Sequence, residues 1–130
     1  VGGHWIPEMV SIAGGEDCFG ESGKSSFVIE WQQLLLAQPD CVVAMPCGFD
    51  LLKGIQEARL IMGDKRWQNL YSSAWKGLFI ADGSAYFSRS GPRLLKGLEM
   101  LAEILHPELF VGEIPQSSVL RLVGESVIVN

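Results

Sequence analysis

Apolar residues recur along this chain mostly at helical spacing, broken by short runs that are apolar throughout. Trp5, Ile6, Met9, Val10 and Ala13 share one helical face, with Pro7 in the first turn, so the spacing predicts a helix over residues 4–13 that stops at Gly14-Gly15. Residues 16–19 read as a short strand before a Gly/Ser loop over 20–26. Residues 30–38 read as a second helix carrying Trp31, Leu34, Leu35 and Leu36, ended by Pro39-Asp40. Residues 41–45 are continuously apolar, as in a parallel strand buried on both faces, and Pro46-Cys47-Gly48-Phe49 is its exit loop. Asp50 can cap a third helix with Leu51, Leu52, Ile55, Ala58 and Met62 on its inner face, broken at Gly63-Asp64. Residues 66–71 read as a helical turn with Trp67 and Leu70 inward. A buried strand follows over 77–81. A long helix over 92–105 then carries Leu94, Leu95, Leu98, Leu101, Ala102 and Leu105 on one face, opened by Pro92 and closed by His106-Pro107.

This alternation with short loops predicts an α/β domain: a three-layer Rossmann-like lobe with a mostly parallel sheet flanked by helices. The tail departs from it. Residues 112–116 read as a linker, and 119–123 and 127–129 as two short strands about Gly124-Glu125. The division expected is therefore a lobe over 1–110 and a C-terminal β extension over 111–130, a hairpin or an exchanged strand. A doubly wound lobe normally begins with a strand, whereas this chain opens at Val1-Gly2-Gly3 and enters a helix, so a fragment is expected.

The 130 residues are enough for one domain with a real core, and 48% apolar content is that of a globular chain. A net charge of -5 argues against nucleic acid, which needs clustered Lys and Arg. No segment reads as a signal peptide and no apolar run reaches membrane-spanning length. Three cysteines, Cys18, Cys41 and Cys47, cannot all pair internally, and without a CxxC they suggest no zinc site.

Cys47, after a strand and before Gly48, has the placement of a nucleophile elbow, but a catalytic cysteine needs a histidine and only His4 and His106 exist. A lone cysteine is more often a small packed residue. Neither histidine has a second ligand at metal spacing. Gly23-Lys24-Ser25 looks like the end of a phosphate loop, but Cys18 stands where its first Gly should be. No pair of carboxylates is placed for acid–base work. That leaves aromatics and arginines. Phe27, Phe49, Tyr86 and Phe87 lie in loops that should gather at one edge of the sheet, where ligands of open α/β sheets bind. Arg89 is the ligand-facing candidate there, while Arg93, inside the helix, is expected to make a structural bond. Aromatic bodies beside guanidinium groups suit a large ligand carrying amides, carboxylates or phosphate.

Four segments carry a family likeness: His4-Trp5-Ile6-Pro7-Glu8-Met9-Val10 through Ala13-Gly14-Gly15-Glu16; Trp31 through Pro39-Asp40-Cys41-Val42-Val43; Met45-Pro46-Cys47-Gly48-Phe49-Asp50; and Phe87-Ser88-Arg89-Ser90-Gly91-Pro92-Arg93. Together they resemble the C-terminal lobe of the vitamin B12 (cobalamin)-binding proteins of ABC importers, the BtuF-like periplasmic receptors with a helical backbone. The resemblance covers residue 1 to about Phe110. It implies a non-enzymatic receptor whose ligand lies between two lobes, of which this chain is the second. It also implies Tyr86, Phe87, Arg89 and Phe27 as ligand contacts, with Phe49 beside them, and docking to an ABC permease through Glu30 or Gln32. Ala85 and Ser88 stand where the family can carry Asp or Glu. Cobalamin or a haem-like chelate would be transported ligand rather than cofactor. The family is periplasmic or extracytoplasmic; a fragment without a signal peptide is also compatible with the cytoplasm. A lobe without its partner would expose a broad apolar face, so a homodimer is expected.

Overall fold

In the computed structural model four strands form one sheet in chain order: β1 Cys41–Ala44, β2 Gly77–Ala81, β3 Val119–Val123 and β4 Ser126–Val129. The described residues are 1–130 except Trp75, Ser90, Gly124 and Glu125, with the side chains of Ser72 and Ser73 also left aside. β1 and β2 are parallel, Val43 opposite Phe79. β2–β3 and β3–β4 are antiparallel, with Ile80 opposite Leu120 and Leu120 opposite Val129. The expected mostly parallel sheet is thus corrected to a mixed one.

The cause lies in the connection to β3. Helix α6, Pro92–Leu105, runs back toward the start of β2, where Lys76 Nζ donates to the Leu105 carbonyl at 2.8 Å. A parallel strand could begin there. Instead residues 106–118 travel forward again, held to α6 by Glu103, whose carboxylate accepts from the backbone N–H groups of Glu113 at 2.7 Å and Ile114 at 2.8 Å. The chain arrives at the far end of β2, where Asp82 N donates to Ser118 O at 3.0 Å, so β3 enters antiparallel. The turn between β3 and β4 that the sequence placed at Gly124-Glu125 lies outside the described residues.

Strand alternation sends side chains to opposite faces. Phe79, Ala81 and Val119 pack with Met9 and Ala13, from α1 (Ile6–Ile12) and its end, and with Met100, Leu101 and Ile104 of α6. Leu78, Ile80, Leu120 and Leu122 pack with Ala58 of α3 (Leu51–Met62), Leu70 of α4 (Lys65–Ser73) and Trp31, Leu34 and Leu35 of α2 (Trp31–Ala37). Helices therefore cover both faces of the sheet. β2 is buried at every residue, whereas β1 is an edge strand and only half-buried, which corrects its expected burial on both faces.

The helix ends follow local chemistry. Asp50 accepts from Lys53 N at 2.9 Å, and Asp64 from Arg66 N at 2.8 Å. Gln38 takes the left-handed conformation at the end of α2, just before Pro39. Asp17 accepts from Phe19 N at 3.0 Å and Gly20 N at 2.7 Å, so residues 16–19, expected as a strand, form a side-chain-capped turn. Leu52 and Leu95, placed on inner helix faces by their spacing, are 73% and 63% exposed. Gly54 and Gly97 take buried positions instead: an added Cβ would meet the Tyr86 carbonyl at Gly97, whereas at Gly54 it would meet the end of the Leu120 side chain at 3.2 Å.

Candidate functional site at the carboxyl ends of β1 and β2

Parallel pairing places the exits of β1 and β2 side by side. The β1 exit loop, 45–50, and the β2 exit segment, 82–91, are bound together there. Gly48 N donates to Ser84 Oγ at 2.6 Å, and Cys47 Sγ lies 3.5 Å from Ser88 Oγ. Gly83 sits directly against the carbonyls of Met45 and Pro46. The segment expected as a plain loop from Ala85 begins as a four-residue helix, α5 (Gly83–Tyr86), because Asp82 caps it by accepting from Ala85 N at 2.9 Å. Ser84 was not singled out from the sequence, and Ser88 only as a position where the family can carry an acid. The Asp82-Gly83-Ser84 run directly after an apolar strand was the available signal for this capped turn.

The candidate aromatics divide. Tyr86 is half-buried and packs on the α1/α6 side. Phe87 is 4% exposed and belongs to that core, with its carbonyl accepting from Trp5 Nε1 at 2.9 Å, so little of its ring is left to face a ligand. Phe49 packs on the other side of the sheet, beside Gly54 and Leu120. Phe27 is 45% exposed and lies on an extended ladder joining residues 1–4 to 23–27, with Phe27 N donating to Val1 O at 3.3 Å. Trp5 thus ties the start of α1 to the β2 exit, while Phe27 hydrogen-bonds to Val1 rather than to either exit loop.

Arg89 is exposed and makes no hydrogen bond or ion pair among the described residues. The same is true of Arg93, which corrects its expected structural bond; it sits in the first turn of α6, where the helix dipole disfavours a cation. Two guanidinium groups with no partner among the described residues can donate to an anionic or amide-bearing ligand. Ser90, between them, lies outside the described residues. Glu30 and Gln32 are both exposed at the start of α2, where Glu30 N donates to Gln33 Oε1 at 2.8 Å.

The nucleophile alternative gains no partner from the geometry. Cys47 neighbours Ser88; His106 Nε2 lies 3.2 Å from Gly14 O and its Nδ1 3.6 Å from Glu108, while the His4 ring lies 5.9 Å from that of Trp5 at a 40° tilt. Among the described residues no group of three His, Cys, Asp or Glu is arranged to hold a metal ion, and no helix is long and apolar enough to cross a membrane. No family model matches the chain, and no curated protein or solved structure matches it significantly.

Cys41, in β1, differs from Cys47. Burial pushes its thiol from the usual 9.0 to about 12, although Lys76 and Arg121 pull the other way. The folded state therefore holds a proton that the unfolded chain releases. The stabilisation is complete below about pH 9 and is lost as pH rises toward about 12. Over that window the urea midpoint of the wild type is expected to fall more steeply than that of Cys41→Ala. Parallel slopes would show that another group controls alkaline unfolding.

Proposed function

We propose that the chain is the ligand-binding lobe of an ABC importer substrate-binding protein for cobalamin or a similar corrinoid or metal chelate, of three-layer Rossmann-like form and without catalytic activity. The observation that carries this reading is the joined pair of β1 and β2 exit segments, with Arg89 exposed and unpaired beside Tyr86. Such an edge receives ligands in open α/β sheets, and the MPCGFD and FSRSGPR blocks that carry the family resemblance are these two segments. In this reading the ligand's amides or phosphate meet Arg89 and its ring edge meets Tyr86. Phe87 supports them from the α1/α6 core, and Glu30 and Gln32 face the permease; Phe49, on the other side of the sheet, and Phe27, bonded to Val1, stand outside this contact set.

Equilibrium dialysis with cyanocobalamin, and separately with haem, tests the reading. Saturable binding of one of them is expected, weakened about tenfold in Arg89→Ala and in Tyr86→Ala, the loss of about 1.4 kcal/mol that one charge-assisted or stacking contact represents. Absence of saturable binding for both, or affinity unchanged in both variants, would overturn it.

A second reading, a free-standing homodimeric lobe with no transport role, is favoured by β4. This edge strand carries no charged residue, and Ile128 and Val129 are 46% and 42% exposed. Sedimentation equilibrium decides it: a monomer at high concentration rules this reading out.

A further inference from the structure

We propose that a second site, at the opposite end of β2 from the exit loops, takes a small aromatic or apolar molecule bearing a single anionic group. A cavity of about 580 Å³ opens there between α3, α4 and the sheet, within the range of small-molecule sites. Its floor is Leu78 and Leu122, cross-strand partners only 3% and 2% exposed. Met62, from the end of α3, and Trp67 and Tyr71, from α4, form half-buried walls. Gly63 ends α3 and Asp64 caps α4, so the cavity lies at the junction of the two helices above the sheet.

The walls are held in place before any ligand arrives. Trp67 meets Trp31 edge-on at 5.5 Å between ring centroids, and Arg66 lies 4.9 Å over the Trp31 ring. An aromatic wall fixed by its neighbours loses little freedom on binding. The anionic requirement comes from Arg59, at the cavity rim in the last turn of α3, which makes no hydrogen bond or ion pair among the described residues. Asp64, just beyond the helix, is occupied by Arg66, with Nη2 to Oδ2 at 2.8 Å. Glu57, two positions earlier, projects from another side of α3. A guanidinium beside apolar walls and without a partner in an acidic chain favours one carboxylate, sulfonate or phosphate whose apolar body fills the cavity.

Two fluorescent probes of similar shape test this: 1-anilinonaphthalene-8-sulfonate, which is anionic, and N-phenyl-1-naphthylamine, which is uncharged. The sulfonate is expected to bind saturably at one site per chain, with energy transfer from tryptophan. Arg59→Gln, a substitution at an exposed helical position that keeps a good helix former, is expected to weaken the sulfonate about tenfold and leave the uncharged probe unchanged. Lys53→Gln, at the other end of α3, removes the same charge and is expected to change neither. Cyanocobalamin is expected not to displace either probe, which keeps this site separate from the one at Arg89. The proposal is overturned by non-saturable sulfonate binding, by equal affinity in Arg59→Gln and wild type, or by an equal loss in Lys53→Gln.

Discussion

Gly83→Val is expected to lower the unfolding free energy by about 3 kcal/mol and, on the proposed function, to abolish the cyanocobalamin or haem binding assigned to the β1/β2 exits. A side chain at residue 83 would stand 2.7 Å from the Met45 carbonyl carbon and 2.8 Å from Pro46 O. These are backbone atoms, so no rotamer change can relieve the contact. The two exit segments would have to part, breaking the Gly48–Ser84 hydrogen bond and moving Tyr86 and Arg89 away from the β1 loop. Gly48 differs: it has φ of 74° and nothing within 4 Å of an added Cβ, so Gly48→Ala should cost only the left-handed conformation, about 1 kcal/mol. Urea unfolding of both variants checks the contrast. A loss below about 1 kcal/mol for Gly83→Val would mean that the two segments are not packed together in solution.

Leu120→Ala is expected to cost about 3–4 kcal/mol. Leu120 is 0% exposed, lies between Ile80 and Val129 in the sheet, and reaches Gly54 on α3. Its burial makes the C-terminal strands part of the core rather than an addition to it. Without β3, Leu78 and Ile80 would lose their main neighbours and the β2 edge would be open. Val28→Ala, at a 94% exposed position, serves as the comparison and should change stability by less than about 0.5 kcal/mol. Thermal unfolding of both variants gives the difference. Similar midpoints would mean that residues 111–130 do not contribute to the fold's stability.

Strands and helices with one strong periodic or apolar signal were legible in the chain. The sequence reading of 77–81 and 92–105 coincides with β2 and α6, and Asp50 caps α3 as expected, whereas Asp64, read only as a breaker, also caps α4. Leu52, Leu95 and residues 16–19 were misread because periodicity records hydrophobicity, not how closely two backbones approach or whether a nearby Asp supplies a turn's hydrogen bonds. Gly97 carries no hydrophobic signal, yet it marks the close contact of α6 with the Tyr86 backbone.

For the candidate site, the sequence placed Tyr86 and Arg89 at a strand exit, and the fold keeps them there. Phe87 and Phe49 were indistinguishable from them in type and spacing. Only the fold sends the first into the α1/α6 core and the second to the opposite side of the sheet.

By itself the sequence determined that this is an α/β chain, where its central strand and longest helix run, and that Asp50 caps α3, because these follow from interactions within a few residues. The direction and neighbours of β3, the contact between the two exit segments, the absence of a partner for Arg93 among the described residues and the cavity beside Arg59 were decided only by the tertiary structure. Each depends on atoms distant in sequence: the path of residues 106–118 held by Glu103, the carbonyls of Met45 and Pro46 against Gly83, and the placing of α3 and α4 over the Leu78–Leu122 pair.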